Sequence, residues 1–95
     1  MDKLNAMAAF TKVVALGSYA EAGRQLGLTR SAVSKGVIEL EQILGARLLD
    51  RTTRKVRVPE AGMANYERCL AILADIEETE LQVSRLHDEP KGPLK

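Results

Sequence analysis

Between Tyr19 and Gly45 the chain reads YAEAGRQLGLTRSAVSKGVIELEQILG, and the second half of that stretch sorts its residues onto two faces. Val33, Val37, Leu40 and Leu44 recur every three to four residues, which places them on one side of an α-helix. Thr29, Arg30, Ser31, Ser34 and Lys35 occupy the other side of its first two turns, with no acid until Glu39. A helix that buries one stripe and offers short hydrogen-bonding groups and cations near its N-terminus suits the major groove of a duplex. The preceding helix, expected from about Ala20 to Leu26, ends at Gly27, a residue suited to a left-handed C-cap. Ala22 and Gly23 are small enough to admit a close neighbouring helix. Gly27-Leu28-Thr29 is then a three-residue turn, with Thr29 as the next helix's N-cap. The same pattern also fits an ordinary helical hairpin, so the choice between the two falls to the segment after Gly45.

That segment contains LLDRTTRKVRV, residues 48–58. Lys55-Val56-Arg57-Val58 alternates polar and apolar with the period of a half-buried strand. Leu48-Leu49-Asp50-Arg51 is expected to pair with it across Thr52-Thr53-Arg54. Arg51, Arg54, Lys55 and Arg57 then stand at or near the tip of a short hairpin. Two-stranded ribbons are marginal alone, and Leu48, Leu49, Val56 and Val58 would anchor this one. A cationic hairpin after such a helix is the layout of a winged helix-turn-helix, its cations holding phosphates rather than reading bases.

Before this unit, Leu4, Met7, Phe10 and Val14 share one face of a helix over 2–16 that Gly17 should stop. After it, Pro59 fits a first helical turn, where its missing N–H is harmless, and the helix is expected to reach Glu89 before PKGPLK. At ~1.5 Å per residue it is longer than a small domain is wide. Its apolar seam, Tyr66, Cys69, Leu73, Ile76 and Val83, has the spacing of a coiled-coil edge. A second copy of the helix is the simplest cover, above all beyond Leu73, with the first two turns packed on the chain's own body.

Charge divides the chain in the same place. Residues 1–58 hold ten Lys/Arg against five Asp/Glu, a balance of +5; residues 59–90 hold two against eight, a balance of −6. The first part is therefore the one that would meet a polyanion. One Phe and two Tyr make no stacking platform for single strands, so the polyanion is expected to be duplex DNA. The single cysteine excludes an internal disulfide framework, and no apolar run reaches the ~20 residues of a membrane helix, so a cytoplasmic protein is expected. Cys69 and His87 have no third group at triad or metal-ligand spacing, which gives an enzyme, a metal or a cofactor no support. The competing reading is a winged-helix protein-interaction module whose basic face is merely solvated.

Phe10, the GSYAEAGRQLGLTRSAVSKGVIELEQILGARLLDRTTR run and the PEAG after it resemble the N-terminal DNA-binding domain of LysR-type bacterial transcription regulators. The resemblance covers nearly the whole chain. It implies a mainly α fold, a winged helix-turn-helix of three helices and a two-stranded wing over 1–58. A linker helix over 59–89 would dimerise, and residues 90–95 would be a hinge toward an effector-binding domain that this chain lacks. The partner implied is an inverted-repeat promoter site, bound by a homodimer, with a small-molecule effector acting only through that missing domain. Thr29, Arg30, Ser31, Ser34 and Lys35 match the family's DNA-facing positions; Arg51, Thr52 and Arg54 match its wing. Four positions depart from the family pattern. Ala20 replaces a Ser or Thr cap, Arg30 a common Gln, Gly36 a long polar residue, and Pro59 a Thr. Arg30 shifts the expected base preference from adenine toward guanine, and Gly36 costs roughly 1 kcal/mol of helix propensity.

Overall fold

Asp2 opens the first helix. Its carboxylate accepts the Asn5 N–H at 2.8 Å, and α1 runs Lys3–Leu16 until Gly17 takes left-handed backbone, φ 67°. The computed structural model describes residues 1–50 and 56–88. Ser18 caps α2 (Tyr19–Leu26) by accepting the Glu21 N–H at 3.1 Å, one residue ahead of the expected start. The hydroxyl missing at Ala20 is thus not missed by the helix. At the far end of α2, the Leu28 N–H returns to the Gly23 carbonyl at 2.8 Å. A Cβ on Gly23 would lie 2.6 Å from the Leu28 carbonyl oxygen. That glycine serves the turn, not the approach of another helix as its size had suggested.

Thr29 caps α3 (Arg30–Leu44) as expected, its Oγ1 accepting the Ala32 N–H at 3.0 Å. Val33, Val37 and Leu40 pack with Ala6, Met7, Ala9, Phe10 and Val13 of α1 in one core that also takes in Ala22 of α2. Two residues of the expected stripes fall outside it: Leu4 is 46% exposed and Leu44 is 45% exposed. Both lie at helix ends, where periodicity continues but no other element covers the turn. Leu48 and Leu49 take the place of Leu44. Both are buried, although strand alternation would have turned one of them outward. They lie ahead of the hairpin, at the corner where the chain leaves α3.

The hairpin shows one rung among the described residues. Asp50 pairs antiparallel with Arg57, its N–H donating to the Arg57 carbonyl at 2.9 Å, one residue out of the expected register, in which the loop 52–54 set Asp50 opposite Val56. Val56 and Val58 are half-buried against the core, as their alternation required. The residues expected at the tip, 51–55, lie outside the described residues.

Pro59 stands just before α4 (Glu60–Asp88), and its carbonyl accepts the first helical bond from Met63 at 3.0 Å. Gly62 then passes so close to the loop that an added Cβ would collide with the Leu48 carbonyl and meet Val58 Cγ1 at 3.0 Å. A glycine inside a helix weakens it, and here it is the condition for α4 to dock. Tyr66 meets Phe10 edge to face, ring centroids 6.5 Å apart, and Cys69 is buried in the same core. Past Cys69 the helix leaves the body. Twenty-nine residues at ~1.5 Å span ~44 Å, in a molecule measuring 57 × 24 × 20 Å.

Candidate nucleic-acid interface

The buried stripe of α3 decides what its other side can do. With Val33, Val37 and Leu40 held inside, Thr29, Arg30, Ser31 and Lys35 stand exposed and Ser34 half-exposed on the outward face of the first two turns. Thr29 spends its hydroxyl on the cap, which leaves the Arg30 and Ser31 amides without an acceptor inside the helix. Such amides, together with the positive end of the helix dipole, form a ready anion site. Neither Arg30 nor Lys35 joins an ion pair among the described residues. Elsewhere on this side Arg24 pairs with Glu21 at 3.0 Å and Lys12 reaches Gln25 at 3.2 Å, both at the surface. Arg57 is exposed beside its rung with Asp50. Of the wing residues singled out from sequence, Arg51, Thr52 and Arg54 lie outside the described residues.

Residues 4–63 match the family described as bacterial regulatory helix-turn-helix protein, lysR family. The chain belongs to that family. It is 46% identical over 92 residues to an HTH-type transcriptional regulator of Xanthomonas campestris pv. campestris, covering 97% of this chain and 27% of that protein. To an HTH-type transcriptional regulator of Haemophilus influenzae it is 43% identical over 94 residues, covering 99% of this chain and 33% of the relative. The LysR chain thus spans a third or less of these curated relatives. Among solved structures, that of the BenM DNA-binding domain on its catB site 1 DNA superposes with a TM-score of 0.85 at 25% identity, over 92% of this chain and 96% of that one. The fold is therefore the LysR winged helix-turn-helix with its long following helix.

Two residues of the family-like runs have roles in this LysR domain that their place in the sequence did not name. One is Gly62. The other is Glu41, an acid 9% exposed in the last turn of α3. Its Oε2 accepts the N–H of Leu48 at 2.8 Å and of Leu49 at 3.1 Å, and its backbone carbonyl accepts those of Gly45 and Ala46. A signal for it existed. Glu41 stands four residues after Val37, on the apolar side of the helix, where a carboxylate needs a partner. What the sequence could not name is the partner, because two backbone amides leave no mark in residue identity.

The residues expected at a dimer seam divide in two. Cys69 is 3% exposed within its own chain; its thiol donates to Asn65 Oδ1 at 3.2 Å, and burial raises its pKa above 9.0. Tyr66 is half-buried against Phe10. Within the single chain these two pack in the body's own core. Leu73 and Ile76 are half-exposed and Val83 is exposed, as are Leu81 and Leu86. The side chain of His87 lies outside the described residues. None of the helices is long and apolar enough to cross a membrane, among the described residues.

Proposed function

We propose that this chain is the sequence-specific, double-stranded-DNA-binding part of a LysR-type transcription regulator, acting in the cytoplasm as a homodimer on an inverted-repeat promoter site. The observation that carries this reading is the amino end of α3, exposed and cationic above a buried stripe, its Arg30 and Lys35 in no ion pair among the described residues. Thr29, Arg30, Ser31, Ser34 and Lys35 face the major groove. Arg51, Thr52 and Arg54 hold phosphates beside it. The matched BenM structure is a complex with DNA, which supports DNA as the partner. Relatives named as transcriptional regulators support the role.

The division of labour is a DNA-binding body over 1–58, a dimerising helix over 59–89 and a hinge over 90–95. Leu73, Ile76 and Val83 form the seam. Two copies joined there must present their α3 ends about 34–36 Å apart, or at a multiple of that, to enter successive turns on one face of the duplex. A small-molecule effector acts through a domain outside this chain.

Titration on a selected duplex and on a scrambled one tests the reading. Arg30→Ala loses roughly 1–3 kcal/mol on the selected duplex and much less on the scrambled one. Arg54→Ala weakens both alike and reduces the salt slope by about 1. Absence of any retardation at low salt would instead favour a protein-interaction module.

A further inference from the structure

Glu41 is an odd choice for its position. A carboxylate in the last turn of a helix faces the negative end of the dipole, and burying one is unfavourable unless it is well bonded. Its Oε2 nevertheless takes two backbone donors, Leu48 and Leu49, seven and eight residues downstream. Charge-assisted bonds of this kind are the strong ones. The next residue, Asp50, opens the rung with Arg57. On the other side of the same peptide, the Leu48 carbonyl fills the space that a Cβ on Gly62 would need. Leu48 is therefore bonded through its N–H to α3, while its carbonyl packs against the α4 backbone at Gly62.

We propose that Glu41 is a positioning residue for DNA binding: from the far end of α3 it holds the Leu48 and Leu49 amides, and so fixes the base of the wing relative to the helix that enters the groove. The inference rests on the DNA-binding reading proposed for α3. Glu41 touches no DNA itself. Its effect runs through the Asp50–Arg57 rung to the exposed Arg57 and to the wing cations proposed above to hold phosphates. The wing then delivers its phosphate contacts in register with α3, not independently of it.

The test compares the parent chain, Glu41→Gln and Glu41→Leu on selected and scrambled duplexes across a salt series. Circular dichroism records that each is folded at the assay temperature. Glu41→Leu is expected to bind both duplexes at least ~10-fold more weakly, with a salt slope shallower by about 1–2, because phosphate contacts are what it misplaces. Glu41→Gln, which keeps a carbonyl oxygen for the two amides, falls between. Combined with Arg54→Ala, Glu41→Leu adds little further loss; combined with Arg30→Ala, it adds in full. A merely structural role predicts neither the flattened slope nor that asymmetry. A folded Glu41→Leu with the parent's affinity and slope overturns the proposal, and so does full additivity with Arg54→Ala. If Glu41→Leu does not fold, Glu41→Gln decides: faster amide exchange at Leu48 and Leu49 with unchanged affinity and slope also overturns it. A parent chain that binds neither duplex defeats the DNA-binding reading itself, which a silent Glu41 variant would leave standing.

Discussion

α3 and α4 are both amphipathic helices with one apolar stripe, and they settle that stripe differently. That of α3 is covered by α1 over Val33, Val37 and Leu40, so its polar face is what remains for a partner. That of α4 is covered only as far as Cys69. Beyond it Leu81, Val83 and Leu86 are 52%, 59% and 69% exposed. Scattered apolar side chains on a surface need no explanation, but a stripe that runs on from a buried core along a protruding helix, here through Leu73, Ile76 and Val83, does. A helix whose stripe is satisfied inside its own chain recruits partners through polar groups. One whose stripe is left open recruits them through apolar area.

The contrast breaks most visibly in the cores. Leu40→Ala is expected to destabilise the protomer by ~2–5 kcal/mol, because its cavity is enclosed, whereas Leu81→Ala changes protomer stability by less than about 0.5 kcal/mol. Thermal unfolding at low protein concentration measures both, and equal losses would end the comparison. Gly62→Ala tests the close approach of α4 to the loop that follows α3. Its methyl has no room against the Leu48 carbonyl, so a loss of ~1–3 kcal/mol is expected in spite of alanine's better helix propensity. Val83→Glu leaves the melting temperature of the dilute protomer alone but raises the dissociation constant of the proposed dimer by roughly tenfold or more, about 1.4 kcal/mol. Sedimentation equilibrium gives that constant, and an unchanged value would remove Val83 from the seam.

The smallest effect concerns Cys69. Burial raises its thiol pKa in the folded chain, so the folded state holds this proton more firmly than the unfolded one. The stability it contributes is present below the unfolded pKa and fades as pH rises through the folded value. Melting temperature should therefore fall more steeply above about pH 9 in the parent than in Cys69→Ala. Parallel curves would show that the thiol is not held apart from solvent.

Legibility from sequence followed the range of the interaction. Gly17, Gly27 and Thr29 were readable as caps because a cap is settled within four residues of chain. The hairpin was readable from alternation and a short polar loop, but its register was not: Asp50 meets Arg57 where the loop 52–54 had set it opposite Val56. The face of α3 was readable because helical periodicity is local, and with it the candidate site. Leu4 and Leu44 continue their stripes in sequence, yet no neighbour covers them. Cys69 and Tyr66 share the spacing of the open seam, yet the body reaches them first.

By itself, then, the order of residues determined where helices start and stop, which side of each is apolar, and which stretch is cationic, since all of these are set by nearby backbone and side-chain chemistry. Only the tertiary structure decided that Glu41 would hold the Leu48 and Leu49 amides, that Gly62 would make room for a carbonyl, and where along α4 the core gives out. Those are contacts between segments distant in the chain, and residue identity carries no record of which distant surface arrives.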